Sequence, residues 1–393
     1  MGTAFVKGLQ GEDPRYLKIV STPKHFVANN EEHNRFICNP QISEKQLREY
    51  YFPAFEMCVK KGKAVSFVFT YLWALTSKEG PPQSETTYPR MDKILATSVG
   101  VSGASVEELS KESETRTYYN DFRTSLELAS NVAGSMNGKM YCPVIFWMQG
   151  EFNYDPNPEK GLRANVPNTT DKQEYKRLLI QLKDNMQNDI LKQYGQQEKP
   201  VFITYQTGAQ YMRDTLAISM AQLEASNEYA DIICAGPIYP MTDRGGHLDA
   251  NGYRWFGEML GKVYYQTKVQ GKTFKPLQPT EIMRERLPNQ VRIKYHVPVP
   301  PLVFDVHLLP KIRDYGFEVY LGSYRQENRQ TVTNVEIDGE DVVLSCQQPL
   351  QGDVIVVYAG TNSFIEEYQG GKDRLQGHGN TYFIFTCRNL VKK

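Results

Sequence analysis

The spacing of apolar residues changes character along the chain and predicts three regions of different build. In the first, Ser43-Glu-Lys-Gln46 has the form of a capping box, in which hydroxyl and amide side chains satisfy each other's orphan backbone groups. Leu47, Tyr50, Tyr51, Ala54, Phe55 and Cys58 then recur at helical spacing, and Gly62 reads as a stop. Val65 to Tyr71 reads as a buried strand. Thr76 to Arg90, rich in Ser, Thr, Pro and Gly, reads as a join.

The middle region alternates short buried runs with helical patterns. Pro143 to Trp147, Val201 to Tyr205 and Asp231 to Ala235 are the runs. Between them, a capping box is expected at Thr170-Asp-Lys-Gln173, followed by a helix with Leu178, Leu179, Leu182, Met186 and Ile190 on one face. Two more helices are expected, from Asp214 to about Asn227 and from Asn251 to about Tyr265. Strand–helix alternation predicts a parallel sheet covered on both faces, with any site at the strands' carboxyl ends. From about Phe274 the period becomes two. Val291, Ile293, Tyr295 and Val297 alternate with polar partners, Val335 to Leu344 reads as a hairpin turning near Asp338-Gly339, and Val354 to Tyr358 reads as a further strand. The expected organisation is a front segment 1–71, an α/β domain 72–275 and an all-β, sandwich-like domain 276–393.

The 393 residues carry 45 basic and 45 acidic side chains with no long run of either sign, so no nucleic-acid footprint is expected. The six cysteines are scattered, which argues against zinc spacing and a disulfide framework and for buried thiols. No metal and no cofactor is expected. Met1 to Lys7 contain no apolar core of a secretory signal, and no stretch of 18 apolar residues occurs, so a soluble, non-membrane protein is expected. Its compartment stays unknown and homo-oligomerisation stays open.

Three segments could carry chemistry. Met241-Thr-Asp243-Arg-Gly-Gly-His247-Leu-Asp249-Ala-Asn251-Gly252-Tyr opens a helix and offers a histidine base with an orienting carboxylate. The same residues also suit a solvated turn that caps that helix. Trp147-Met-Gln149-Gly150-Glu151-Phe-Asn153 follows a buried strand, where a side-chain amide suits an oxyanion, or a polar turn. Ser98-Val-Gly100-Val-Ser-Gly103-Ala-Ser105 is a small-residue loop before Glu107, Glu108 and Leu109, with amides that could face an anion.

In this order, the Gly-x-Ser-Gly-x-Ser, Trp-Met-Gln-Gly-Glu and Asp-loop-His blocks resemble those of SGNH hydrolases, nearest the sialate-O-acetylesterase-like carbohydrate esterases, over about residues 90–270. The resemblance implies a flavodoxin-like α/β sandwich, with the β region as the extension that some bacterial members carry. It implies ester hydrolysis of acetylated sugars by an activated serine. Carried over, Gly103 donates a backbone amide to the oxyanion hole, Gln149 with Asn153 supplies the side-chain donor, His247 is the base and Asp243 its partner. Asp243 stands four residues before the histidine where the family has three. The Gly-Asp-Ser block of the first strand is missing. Ser84, Ser77 on the loop after Val65–Tyr71, and Thr70 are the candidate nucleophiles.

Upstream, Ala4 to Gly11, Thr22-Pro-Lys24-His25-Phe26 and Ile42 to Tyr51 resemble family-3 glycoside hydrolases of β-glucosidase type over about residues 2–71. That resemblance implies sugar-hydroxyl binding by Lys24 and His25. Neither the upstream barrel nor the nucleophilic aspartate of that family is found, and retaining chemistry needs two flanking carboxyls. The chain thus reads as a fusion, a chimera of two carbohydrate hydrolases. Val65 to Tyr71 would stand in for the missing first parallel strand. A carbohydrate esterase is the leading expectation, with a β-glucosidase-type hydrolase or a non-catalytic sugar-binding relic as alternatives.

Overall fold

Reciprocal capping at Ser43 and Gln46 starts a helix where the sequence placed it: the Gln46 amide donates to Ser43 Oγ at 3.2 Å, and the Ser43 amide to Gln46 Oε1 at 3.0 Å. The computed structural model describes residues 2–11, 43–61, 71–76, 93–101, 103–135, 137–154, 168–207, 216–238, 241, 243–244, 247–305 and 313–358. In the front segment, the short α2 (Glu44–Gln46) leads toward α3 (Phe52–Lys60), and α1 (Gly2–Gln10) packs on α3 with Val6 and Cys58 buried together. Between α2 and α3 the chain widens into a π turn, Leu47–Tyr51. Pro53 brings no N–H for the carbonyl one turn back, and a wider turn is one way to absorb that loss.

Strand β1 (Tyr71–Thr76) pairs antiparallel with β2 (Lys93–Thr97) on one side and with β3 (Lys139–Tyr141) on the other. Residues 65–70 of the run expected to be a parallel strand lie outside the described residues; Tyr71, at its end, opens a strand of an antiparallel sheet. β1 and β2 follow each other in sequence, and antiparallel neighbours need only a return loop where a parallel pair needs a crossover. The segment read as a join falls between these paired strands.

Helices α4 (Val106–Leu109) and α5 (Tyr118–Ser135) lead to the three parallel strands β4 (Val144–Phe146), β5 (Val201–Gln206) and β6 (Ile232–Pro237), adjacent in that order as the buried runs predicted. Helices α6 (Lys172–Tyr194), α7 (Ala217–Glu228) and α8 (Ala250–Tyr264) follow β4, β5 and β6 in turn. Alternate residues of each strand face opposite ways. Ile145, Phe202, Ile232 and Cys234 therefore join α5, α6 and α7 in one core, while Val144, Ile203, Ile233 and Ala235 join Val263 of α8 in another. The cap of α6 is Asp171, which accepts from the Glu174 amide at 2.8 Å, one residue beyond the expected Thr170. A carboxylate next to the helix's positive end makes the better cap. Gly195, at φ +64°, closes that helix in the left-handed conformation.

Two short strands, β7 (Asp243–Arg244) and β8 (His247–Leu248), form a small hairpin before α8. The chain then becomes antiparallel. One sheet runs β13 (Val332–Asp338), β14 (Asp341–Cys346), β10 (Gln290–His296) and β9 (Gln278–Arg284). The other runs β12 (Arg329–Gln330), β11 (Phe317–Leu321) and β15 (Val354–Tyr358). The predicted hairpin turns at Gly339, φ +66°, between the paired Asp338 and Asp341. The two regions share a core: Tyr320, Ile355 and Val357 are buried in the same cluster as α5, α6 and α7. An amide pair, Asn227 with Gln278 at 2.8 and 3.2 Å, joins α7 to β9.

The described cysteines, Cys58, Cys142, Cys234 and Cys346, are free and buried. Burial pushes the Cys234 thiol up to about 12, so it packs as a small apolar group. Among the described residues no helix is long and apolar enough to cross a membrane.

Leu179, fully buried in α6, sets the first prediction: Leu179→Ala lowers stability by about 2–5 kcal/mol, read by urea unfolding. The second concerns Lys183, buried in α6 and 2.7 Å from Asp231. Burial alone would raise the Asp231 carboxyl, but the Lys183 bond and charge outweigh it and hold the group below its usual 3.8. A depressed folded value stabilises the fold above the unfolded pKa and is lost as pH falls through the folded one. Asp231→Asn should flatten the acid limb of the stability curve below about pH 4, where a carboxylate of ordinary pKa titrates.

Candidate functional site

At the carboxyl end of β4 the chain turns through Gln149, Gly150 and Glu151, and the turn is built for glycine. Gly150 has φ +151°, and a Cβ there would stand 2.5 Å from Thr207 Cγ2 and 2.8 Å from Gln222 Nε2. This close approach seats Gln149 between three elements. Its Nε2 donates to the Ala104 carbonyl at 3.1 Å and to Asn153 Oδ1 at 2.7 Å. The Tyr175 hydroxyl of α6 lies 3.0 Å from its Oε1, and Gln222 Nε2 of α7 donates to its backbone carbonyl at 2.8 Å.

Asn153 continues the network and is fully buried. Its Oδ1 also accepts from the Val106 amide at 3.0 Å, and its Nδ2 donates to Glu107 Oε2 at 2.9 Å and to the Thr169 carbonyl at 3.2 Å. Glu107 Oε1 accepts from the Thr169 amide at 2.6 Å. The Gly103 loop, the Gln149 loop and the start of α6 are thereby held at one edge of the parallel sheet. Gly103 has φ +64°, and Ala104 closes that loop through Val101 at 3.2 Å.

The structure thus brings Gly103, Gln149 and Asn153 together. It also shows that both amide protons of Gln149 are spent within the protein. At the start of α4, two of the amides that could face an anion are answered within the protein: Asn153 bonds that of Val106, and Ser105 Oγ takes that of Glu108 at 3.2 Å.

The backbone of Asp243 pairs with Leu248 and that of Arg244 with His247. The side chains of Asp243 and His247 lie outside the described part. Their hairpin is anchored at the same edge, because Met241 and Leu248 are buried with Tyr205 and Phe256, and Met148 packs on them. Tyr205 in turn donates its hydroxyl to Glu151 Oε1. Burial first, then the Glu151 charge, pushes that phenol well above its ordinary value, so it stays a donor at neutral pH. Asp249, in the same motif, is a helix cap that accepts from Gly252 at 2.8 Å. Thr70, Ser77, Ser84, Lys24 and His25 lie outside the described residues. Among the described residues no cluster of three metal-ligating side chains occurs.

Sequence reasoning missed Tyr175, Gln222 and Thr169. Tyr175 and Gln222 sit in helices at positions whose spacing reads as ordinary core. Glu107 was visible only as part of a helix start.

No family model matches the chain. A β-glucosidase from Kluyveromyces marxianus is 41% identical over 69 residues, and one from Ruminococcus albus 41% over 71; each match covers 18% of this chain and 7–8% of the relative. An exo-α-(1→6)-L-arabinopyranosidase from Bifidobacterium longum is 48% identical over 67 residues, 17% of this chain and 8% of that one. The chain therefore spans less than a tenth of the length of these relatives. The matched stretches are as long as the front segment that carries the glycosidase resemblance. A carbohydrate acetylesterase from Xanthomonas citri superposes with a TM-score of 0.40 at 12% identity, over 64% of this chain and 48% of that one, a likeness too loose to carry the fold or the reaction.

Two substitutions test the network. Gly150→Ala, strained in both φ and contact, and Asn153→Ala, which orphans the Val106 amide and takes one of its bonds from the Glu107 carboxylate, should each cost about 2–4 kcal/mol in urea unfolding. An exposed control, Asn251→Ala, should stay within about 0.5 kcal/mol.

Proposed function

We propose that the protein is a carbohydrate-active hydrolase whose α/β region carries an ester-hydrolysing site for acetylated sugars. The observation that carries this reading is the gathering of the Gly103 loop, Gln149 and Asn153 at the edge where the Asp243–His247 hairpin is anchored. In this reading His247 takes a proton from the nucleophile and returns it to the leaving sugar hydroxyl. Asp243 holds the imidazole in one tautomer and stabilises its charged form. The Gly103 amide and the Gln149 side chain receive the oxyanion, which requires Gln149 to exchange its bond to Ala104 or Asn153 for one to the substrate. The nucleophile would come from Thr70, Ser77 or Ser84. A triad constellation without its nucleophile keeps only residual activity.

A second reading has the more direct support of the relatives: a β-glucosidase-type activity or a sugar-binding role of the front segment, through Lys24 and His25. Matches of 41–48% identity to glycosidases favour it. Against catalysis stands the fraction of such an enzyme that the chain spans, since a fragment of a (β/α)₈ barrel cannot close on itself.

Paired chromogenic assays separate the two. The esterase reading expects slow hydrolysis of an aryl acetate, reduced about 10²–10⁴-fold by His247→Ala, the range of general-base catalysis, and inactivation by a serine-directed organophosphate. Ester hydrolysis unchanged in His247→Ala refutes the site. Turnover of an aryl β-glucoside that Lys24→Ala abolishes would establish the second reading instead.

A further inference from the structure

Gln149 carries its amide on a soft torsion. The last rotatable bond of a glutamine side chain has no sharp staggered well, so hydrogen-bond partners set which way the amide plane lies. On the nitrogen side those partners are the Ala104 carbonyl and Asn153 Oδ1, at 3.1 and 2.7 Å. On the oxygen side stands Tyr175, fully buried in the first turns of α6. Its hydroxyl lies 3.0 Å from Gln149 Oε1 and 3.1 Å from the Gln149 backbone carbonyl. A phenol has one proton to give.

Gln222 decides which oxygen receives it. The Thr207 backbone amide can only donate, and it bonds Gln222 Oε1 at 3.1 Å, which fixes the orientation of that side chain. Gln222 Nε2 is thereby turned to the Gln149 backbone carbonyl at 2.8 Å, with Tyr175 Oη 3.5 Å away. The carbonyl has its donor, and the Tyr175 proton goes to Oε1. The other end of the network is fixed in the same way, because the Val106 amide at 3.0 Å makes Asn153 Oδ1 an acceptor. Between these two backbone donors the polarity runs one way, from Tyr175 into Gln149 Oε1 and out through Nε2.

We propose that Tyr175 is a positioning residue for oxyanion stabilisation: it holds Gln149 by the end that the substrate does not touch and polarises the amide toward donation. This rests on the reading of Gln149 as an oxyanion donor. When Nε2 trades one of its two bonds for the developing charge, one N–H bond remains within the protein, and the bond at Oε1 keeps the amide from turning away. A hydrogen bond accepted at Oε1 also draws electron density from the nitrogen, so the N–H donates more strongly as charge develops. Tyr175 touches no substrate, and its proton stays on the phenol. Its own place is set by the start of α6, where Glu107 of α4 accepts from the Thr169 amide at 2.6 Å.

The test is a kinetic double-mutant cycle in the full chain, with an aryl acetate as substrate. Gln149→Ala removes the donor and should lower kcat about 10²–10³-fold. Tyr175→Phe keeps the donor and the ring and loses only the hydroxyl. Its kcat should fall about tenfold with KM held within about twofold, as expected when an interaction made in the transition state is lost. In the Gln149→Ala background the same substitution should change kcat by less than about twofold, since no amide is left to position. A purely structural role would lower the urea midpoint and leave kcat of the folded enzyme alone, or act equally in both backgrounds, and either result overturns the proposal. Should Tyr175→Phe fail to fold, Gln222→Met takes its place. It frees the Gln149 carbonyl to draw the Tyr175 proton off Oε1, so kcat should again fall with KM held, and only where Gln149 is present. Ester hydrolysis that needs His247 yet ignores these variants overturns the proposal alone. Hydrolysis absent from the wild type, or unchanged in His247→Ala, overturns the site reading and the proposal with it.

Discussion

Two buried amides, Gln149 and Asn153, set the terms for the candidate site. A side-chain amide out of water must have its donors and acceptors met, and here they are met by different parts of the chain: the Gly103 loop, Glu107, the start of α6 and the Tyr175 hydroxyl. Removing any one leaves a polar group unpaired at low dielectric, so the loops move together or not at all. Gly150 is the geometric condition for this network, because any side chain there would collide with Thr207 and Gln222.

The same logic bears on chemistry. A fully bonded Gln149 is rigid and well placed, yet as an oxyanion donor it must give up a bond already made. Its usefulness depends on a substrate group offering a stronger acceptor than a neutral carbonyl, and a developing oxyanion is one. Trp147, two residues earlier, is in the opposite state: its indole donor is buried and, among the described residues, unspent. One strand end thus holds a committed amide and an uncommitted indole side by side.

The β region is more than an appendage. Tyr320, Ile355 and Val357 are buried with the residues of α5, α6 and α7, so the strands of β11 and β15 complete the α/β core. Trimming that region would expose apolar surface on both parts. The front segment behaves differently: among the described residues its buried pair is Val6 with Cys58, while Phe5, Tyr50 and Met57 are exposed. Its likeness to glycosidases is a likeness of sequence.

Local chemistry was enough to read the Ser43 cap, the three parallel strands, the apolar face of α6 and the turn at Gly339, because period and capping are properties of neighbouring residues. Gly103, Gln149 and Asn153 came forward as a group through the resemblance to SGNH hydrolases, where local reasoning offers only separate loops. Local reasoning placed the cap of α6 one residue early, since Thr170 and Asp171 can both cap and only the packed helix chooses. An apolar run fixes burial and leaves the pairing partner free, and only the structure pairs Tyr71–Thr76 antiparallel with its neighbours. Tyr175, Gln222 and the unspent indole of Trp147 had no signature at all. They arise where helices far apart in sequence meet one strand end, and only the tertiary structure decides which donors find acceptors there and which are left open.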